Sequence, residues 1–153
     1  TPQSSFFIAG TVRENLLYGL DGPVSDEALA GALEQVLLAG EGHCATVIHR
    51  DPMEALQVTL GERADVLSGG MKQRLSLARA FLRSPRLYVF DEITANLDAA
   101  AASHVLSNIE AHAKRIGAGI LYISHDQNVV DRCDTVITLK NKLREHESRK
   151  DAA

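Results

Sequence analysis

The stretch LSGGMKQRLSLARAFLRSPRLYVFDEITANLD, from Leu67 to Asp98, decides the fold of this chain. Ser68, Gly69 and Gly70 lead directly into a run with helical spacing. The apolar residues on one side of that run are Leu75, Leu77, Ala78, Phe81 and Leu82. Basic residues lie mostly on another side, namely Lys72, Arg74, Arg79 and Arg83. A serine hydroxyl, close backbone N–H groups and the positive end of a helix dipole can together hold a phosphate. The segment therefore predicts an amphipathic helix with an anion-binding N-terminus.

A strand that ends in two acids is predicted to follow this helix. The helix stops near Ser84, because the residue before a proline is disfavoured in the α region. Leu87 to Phe90 form an unbroken apolar run, which is typical of a strand buried on both faces. Asp91 and Glu92 come next, and ligands of open α/β sheets bind at the carboxyl ends of strands. Asp91 can hold Mg²⁺ through water, and Glu92 can orient an attacking water or accept its proton.

Composition indicates a globular domain. A chain of 153 residues with 45% hydrophobic content is long enough for one sizeable core. The net charge of −4 provides no bulk attraction to nucleic acid or to an anionic membrane. Cys44 and Cys133 are too few and too far apart for a disulfide framework or a metal knuckle, which fits a reducing cytosol. Because no apolar run could cross a bilayer, we expect any membrane link to come through a partner or through further sequence.

The first part of the chain is predicted to be mostly helical. Thr11 and Glu14 match a capping box and so begin one helix. Ser25 begins the next helix, and Gly40 is expected to close it. The signals in residues 41–60 are mixed.

The second part of the chain alternates helices and strands. Asp98 is predicted to cap a long helix that ends at Gly117. Residues 120–123 form a second buried strand, and a short helix over 127–132 and a strand over 135–139 follow. Such alternation predicts parallel strands with right-handed crossovers.

These elements predict an α/β fold in which a helical lobe joins part of a mainly parallel sheet. We assign residues 8–84 to a helical subdomain that includes the amphipathic helix predicted after Ser68. Residues 85–140 are assigned to part of an α/β core, and 141–153 to a charged tail that frays.

Several motifs occur in the order found in one protein family. LSGGMKQR, which begins at Leu67, resembles the signature motif of ATP-binding cassette (ABC) ATPases. Residues 87–92 resemble the Walker B strand with its following glutamate, and 95–98 resemble the D-loop. Gln3 is similar to the Q-loop glutamine, and His125 to the switch histidine. The segments similar to exporter-type members are FIAGTVREN at 7–15 and TLGER at 59–63.

The resemblance implies a truncated P-loop NTPase-like ABC ATPase domain that uses ATP and Mg²⁺. It implies that Glu92 and His125 are catalytic, and that Asp91 and Gln3 hold the metal. The residues implied to contact the nucleotide are Gln3, Ser68, Gly69, Gly70, Asp91 and Asp98. A second such domain would close head to tail over two ATP molecules and drive a transmembrane domain at the cytoplasmic face of the cell membrane.

Two departures from the family pattern stand out. Met71 replaces the usual glutamine after the signature glycines, which removes an amide but leaves the serine and both glycines. No G-x-x-x-x-G-K-[ST] occurs among the eleven glycines, so the loop that holds the β and γ phosphates is missing. Since the apolar run Phe6 to Ile8 also lies close to the first residue, we expect truncation, and we expect this polypeptide alone to bind ATP poorly and to have negligible turnover.

Each motif also has an ordinary structural interpretation. Residues 68–70 can be a simple helix cap, Asp91 and Glu92 a solvated strand end, and His125 a surface histidine. Two other functions remain open, namely a soluble ABC ATPase that acts on DNA and a non-catalytic regulatory relic. The exporter-like segments and the acidic balance speak against the first, whereas the missing phosphate loop favours the second.

Overall fold

The computed structural model describes residues 6–40, 48–61 and 64–139. Several expectations fall outside these ranges: the role of Gln3, part of the TLGER segment and the tail from residue 140. The helices are α1 (Val12–Leu17), α2 (Asp26–Gln35), α3 (Pro52–Gln57), α4 (Gly69–Phe81), α5 (Ala99–Ile116) and α6 (Gln127–Val130). The strands are β1 (Gly10–Thr11), β2 (Thr59–Leu60), β3 (Leu87–Asp91) and β4 (Gly119–Ile123).

The predicted start of α1 is confirmed by its hydrogen bonds. The Thr11 hydroxyl accepts from the Glu14 N–H at 3.1 Å, and the Glu14 carboxylate accepts from the Thr11 N–H at 2.7 Å. The two bonds form a reciprocal capping box, which satisfies backbone donors that a helix start leaves free. Ser25 likewise caps α2, as predicted.

The end of α2 differs from the sequence prediction. The helix stops at Gln35, not at Gly40, because Leu37 adopts a left-handed conformation with φ of 57°. The Leu38 N–H donates to the Leu33 carbonyl at 2.9 Å and the Leu37 N–H to the Glu34 carbonyl at 3.0 Å. This Schellman arrangement usually has glycine at its left-handed position, so a leucine there gives no sequence signal.

A short antiparallel ribbon joins the start of the chain to the segment after α3. Gly10 pairs with Leu60, and Thr11 pairs with Thr59. The Val12 N–H extends the pairing by donating to the Val58 carbonyl at 2.9 Å. The sequence did not predict these strands, because two residues are too few for an alternating pattern.

Two arginines of α4 contact other segments of the helical part, Arg74 being buried and Arg79 half-buried. Arg74 is 3% exposed and donates to the Leu37 carbonyl, at the end of α2, at 2.6 Å. Arg79 donates to the Asn15 carbonyl at 2.7 Å and to the Phe6 carbonyl at 2.6 Å. The simple apolar-versus-basic division predicted for α4 is therefore wrong at these positions, because helix ends and loops offer carbonyls that only a long cationic side chain reaches.

The Arg79 side chain belongs to a network centred on a buried asparagine. Asn15 is fully buried, and its Oδ1 accepts from Arg79 at 2.8 Å and from the Ile8 N–H at 3.0 Å. The guanidinium also lies 4.8 Å from the centroid of the buried Phe7 ring. Burial lowers the pKa of Arg79, and the nearby Arg83 acts in the same direction. The network joins the first described residues to α4.

β3 and β4 form a parallel pair, as the helix–strand alternation predicts. Leu87 lies opposite Gly119, and Asp91 lies opposite Ile123. The inner face of β3 carries Tyr88 and Phe90, which are buried in the same core cluster as apolar residues of α5. The two acids and the residues after β4 consequently lie at one end of this sheet.

The expectation that both faces of these strands are buried is wrong. On the outer face, four side chains are about half exposed: Leu87 at 54%, Val89 at 57%, Leu121 at 49% and Ile123 at 51%. In the part of the chain that the structure describes, helices pack against the inner face only. A continuous apolar run predicts that a strand can be buried on both sides, but burial requires a second layer.

The predicted strand over 135–139 is also wrong. These residues have no regular secondary structure, and Ile137 and Leu139 are 81% and 92% exposed. A strand needs a neighbour for its ladder of hydrogen bonds, and the described residues supply none for this segment. The preceding helix is shorter than predicted, since α6 ends at Val130 and not at residue 132.

The long helix agrees with its prediction at both ends. The Asp98 carboxylate accepts from the Ala101 N–H at 2.9 Å, and Gly117 ends α5 with φ of 69°. Within the described residues, no helix is both long enough and apolar enough to span a bilayer.

Candidate functional site

The helix α4 begins where the sequence predicts, and the anion site expected at its start stays a prediction. Ser68 is the N-cap residue, and its hydroxyl accepts from the Met71 N–H at 3.2 Å. Ser68 and Gly69 are exposed and Gly70 is half-buried, so backbone N–H groups of the first turn can be reached from solvent. The Met71 side chain packs against the core, where an apolar residue fits as well as an amide. The departure at Met71 thus leaves the helix start intact.

The acids at the end of β3 differ in their backbone conformation. Asp91 is exposed and is the last residue of the strand. Glu92 has φ of 50°, a left-handed conformation that costs a non-glycine residue roughly 1–2 kcal/mol. Its N–H donates to the Ile123 carbonyl at 2.9 Å, which continues the parallel ladder one residue past β3. The extended conformation of β3 therefore ends at Asp91.

His125, at the end of the neighbouring strand, contacts this glutamate. Its Nδ1 lies 2.9 Å from Glu92 Oε1, with the His125 side chain 89% and the Glu92 side chain 38% exposed. An ionised carboxylate can only accept, so this contact places a proton on Nδ1. The other ring nitrogen, Nε2, remains available to a ligand. The structure therefore brings together Glu92 and His125, which lie 33 positions apart in sequence.

Residues that were not predicted from the sequence hold Glu92 and the segments after β3 and β4 in place. The Gln73 amide on α4 donates to the Glu92 carbonyl at 2.8 Å, and the Asn96 amide donates to Gln73 Oε1 at 3.2 Å. The Thr94 hydroxyl donates to an Asp126 carboxylate oxygen at 3.0 Å. The spacing of Gln73 three positions after Gly70, on one helix face, is a signal that could have identified it.

Asp98 has a structural role in this conformation. Its carboxylate is the N-cap acceptor of α5. The implied contact between Asp98 and a nucleotide stays a prediction, as do the other nucleotide contacts and the metal roles of Asp91 and Gln3.

One exposed carboxylate at this end of the sheet, that of Asp91, has the chemistry that a magnesium ion requires. Among residues 6–40, 48–61 and 64–139, no group of three or more His, Cys, Asp or Glu side chains could hold a metal. Mg²⁺ in phosphate-transfer sites typically keeps several waters and uses one or two carboxylates plus substrate phosphates. The exposed Asp91 provides one such carboxylate.

Behind β3, a buried polar cluster connects the two parts of the molecule. The Tyr88 hydroxyl lies 3.1 Å from the Ala80 carbonyl at the end of α4 and 3.1 Å from His112 Nε2 on α5. Arg115 Nη2 lies 2.8 Å from His112 Nδ1. Burial, followed by the Arg115 charge, lowers the pKa of His112, and burial raises the pKa of Tyr88. Since arginine can only donate, Nδ1 accepts and the histidine is neutral in this arrangement.

Comparisons with known proteins agree with these features. A family described as "ABC transporter" matches residues 1–95. A "Multidrug resistance ABC transporter ATP-binding and permease protein" of Lactococcus lactis is 37% identical over 134 residues, which are 88% of this chain and 21% of that protein. "Antigen peptide transporter 2" of Mus musculus is 32% identical over 97% of this chain and 20% of that protein.

A solved structure has the same fold. A bacterial Atm1-family ABC exporter with ATP bound superposes with a TM-score of 0.72 at 24% identity, covering 99% of this chain and 28% of that one. The present chain thus spans about a fifth of the length of the curated relatives named above. The predicted α/β class and the resemblance to an exporter-type nucleotide-binding domain are confirmed, and nothing in these matches favours the DNA-acting alternative. The chain belongs to the ABC transporter family.

Proposed function

We propose that this chain is part of the ATP-hydrolysing domain of an exporter, in which ATP hydrolysis powers transport across a membrane. The observation that carries the proposal is the 2.9 Å contact between Glu92 and His125 at adjacent ends of parallel strands. Packing does not require this contact, since the His125 side chain is almost fully exposed. The retained pair supports an enzymatic parent over a non-catalytic relic.

Glu92 is proposed to act on the attacking water. Its carboxylate accepts from His125, and its backbone is held by β4 and by Gln73, so the side chain has a defined direction. An oriented carboxylate can position a water for in-line attack and accept its proton. The same contact leaves His125 Nε2 available, and this nitrogen would donate to a γ-phosphate.

The metal and nucleotide roles rest on donor chemistry. Asp91 would hold Mg²⁺ through water, with Gln3 as a further ligand. When bound, the ion would neutralise charge on the β and γ phosphates. Ser68, Gly69 and Gly70 supply N–H groups and a hydroxyl for phosphate, but no acid suited to a metal lies within this helix start.

Because the metal ligand and the phosphate-binding helix start lie on different segments, we propose a site that is completed by two domains. The start of α4 can bind an anion but cannot form a magnesium–nucleotide site by itself, because it has no metal ligand. It would therefore complete the site of a second nucleotide-binding domain. We infer a head-to-tail pair of such domains, coupled to a transmembrane domain at the cytoplasmic face of the membrane. The Lactococcus relative, named as an ATP-binding and permease protein, joins the same two activities in one polypeptide.

The proposal is tested by ATPase assays on this 153-residue chain and on a longer protein that adds a phosphate-binding loop and membrane segments. We expect negligible turnover of the short chain and ATP hydrolysis by the longer protein that Glu92→Gln abolishes. Glu27→Gln, an exposed glutamate on α2, is the matched control and should leave turnover unchanged. Turnover of the short chain that disappears with Glu92→Gln would contradict its expected inactivity. A longer protein with no hydrolysis would favour the regulatory relic.

A further inference from the structure

Gln73 connects the anion-binding helix start to the catalytic glutamate. Its Nε2 donates to the Glu92 carbonyl at 2.8 Å, and its Oε1 accepts from Asn96 at 3.2 Å. Both ends of one amide are therefore occupied, which fixes the orientation of the side chain. Gln73 follows Gly70 by three positions, so both lie on the same face of α4.

The backbone of Glu92 needs external support. Its left-handed φ of 50° is uncommon for a side chain of this size and persists only where the surroundings hold it. The Glu92 N–H is bonded to β4, and its carbonyl accepts both the Gln73 amide and the Ala95 N–H, the latter at 3.3 Å. Of these bonds, the one from Gln73 comes from the signature helix.

The first turn of α4 also packs closely on the segment after Glu92. A Cβ added to Gly70 would lie 3.0 Å from the Asn96 Cβ, tighter than ordinary contacts. A displacement of the α4 start would therefore move Asn96 as well as Gln73. Two independent contacts, one polar and one steric, connect the same pair of segments.

We propose that Gln73 is a positioning residue that couples the anion-binding start of α4 to the orientation of Glu92. The inference rests on the proposed function, in which these two groups of one chain serve different nucleotides. Occupation of one site would then affect the catalytic glutamate of the other through the Gln73 amide, supported by the close contact between Gly70 and Asn96. Gln73 would act through the Glu92 backbone.

The first test uses the 153-residue chain and needs no activity. Amide hydrogen exchange followed by NMR reports on the Glu92 N–H. Gln73→Ala should accelerate its exchange by about tenfold or more, because the backbone loses one of its supports. Gln57→Ala, an exposed glutamine at the end of α3, is the control and should leave that rate unchanged. An unchanged rate in Gln73→Ala would overturn the proposal.

The second test uses the longer ATP-hydrolysing protein proposed above. Gln73→Ala should lower kcat by about tenfold to a hundredfold while KM for ATP changes by less than about twofold, since misplacement affects the chemical step and not ground-state binding. Gln73→Glu retains the acceptor for Asn96 but loses the donor to Glu92, so its kcat should fall equally. Gln73→Lys retains a donor and should recover part of the loss.

Different failures have different readouts. An unchanged kcat in Gln73→Glu would overturn the positioning role. So would a Gln73→Ala variant in which KM for ATP rises while kcat is unchanged. If the unsubstituted longer protein hydrolyses no ATP, the proposed function fails, and the exchange rate of the Glu92 amide still decides whether Gln73 holds that residue.

Discussion

The helical part and the sheet part of this molecule use apolar residues differently. In the helical part, residues 6–82, leucines such as Leu29, Leu33 and Leu75 are completely buried. In the sheet, Leu121 lies on a face that is about half exposed, although its sequence surroundings are equally apolar. The buried leucines of the helical part and the inner face of the sheet belong to one core cluster, whereas no described residues cover the outer face of the sheet.

The difference extends to polar groups. The helical part places Asn15 and Arg74 inside and satisfies them with backbone partners. The sheet concentrates its polar groups at the strand ends, where Asp91 and His125 are exposed. Buried polar side chains of the first part therefore have hydrogen-bond partners within the chain, whereas the exposed ones of the second part can be reached from solvent.

The largest expected contrast comes from the same truncation made in both parts. Leu75→Ala should lower the free energy of unfolding by about 2–5 kcal/mol, because it removes a completely buried side chain and leaves a cavity. Leu121→Ala, its matched control on the outer face of the sheet, should cost about 1 kcal/mol or less. Urea unfolding at neutral pH measures both. Equal losses would show that the outer face is covered in solution.

A smaller effect is expected at the polar network. Arg79→Ala should cost about 2–3 kcal/mol, because it leaves the buried Asn15 and the Phe6 carbonyl without a charged donor. Arg79→Lys should recover little, since an ammonium lacks the fork that reaches both segments. Arg83→Ala, an exposed arginine with one 3.2 Å bond to Tyr18, is the control and should cost less than about 1 kcal/mol. Urea unfolding also measures these variants. Full stability of Arg79→Lys would contradict the idea that the guanidinium must bond to both Asn15 and Phe6.

The smallest effect concerns the cluster where the two parts meet. The pKa of His112 is lowered in the folded state, so the unfolded state binds more protons as the pH falls. The neutral His112 contributes to stability above about pH 6.5, the pKa of an unperturbed histidine, and this contribution is lost as the pH falls to the folded-state pKa. The total loss is about 1.4 kcal/mol for each pH unit that separates the unfolded-state pKa from the folded-state pKa. Unfolding curves from pH 7.5 to 5 should show this slope, and His112→Gln should reduce it.

The control for this slope is on the same helix. His104→Gln replaces an exposed histidine of α5 and should leave the pH dependence unchanged. A slope that persists in His112→Gln would mean that other groups, such as carboxylates, produce it.

Sequence reasoning succeeded where a structure depends on a few neighbouring residues. The capping residues Thr11, Ser25, Ser68 and Asp98 were all correctly predicted, because an N-cap is recognised within three positions. It failed at Leu37, which ends α2 in a conformation that leucine rarely adopts. It also failed at residues 135–139, since their apolar pattern indicates a strand but not whether a partner strand is present.

The candidate site shows the same division. The sequence alone determined which acids follow a strand and which serine begins α4, and the family resemblance implied catalytic roles for Glu92 and His125 without predicting that they are in contact. Only the tertiary structure decided that Gln73 and Asn96 support Glu92 and that Arg79 lies among backbone carbonyls. It also showed that none of the described residues covers the outer face of the sheet. The physical reason is range: caps and periodicities involve residues within about four positions of each other, whereas these contacts depend on how distant elements pack.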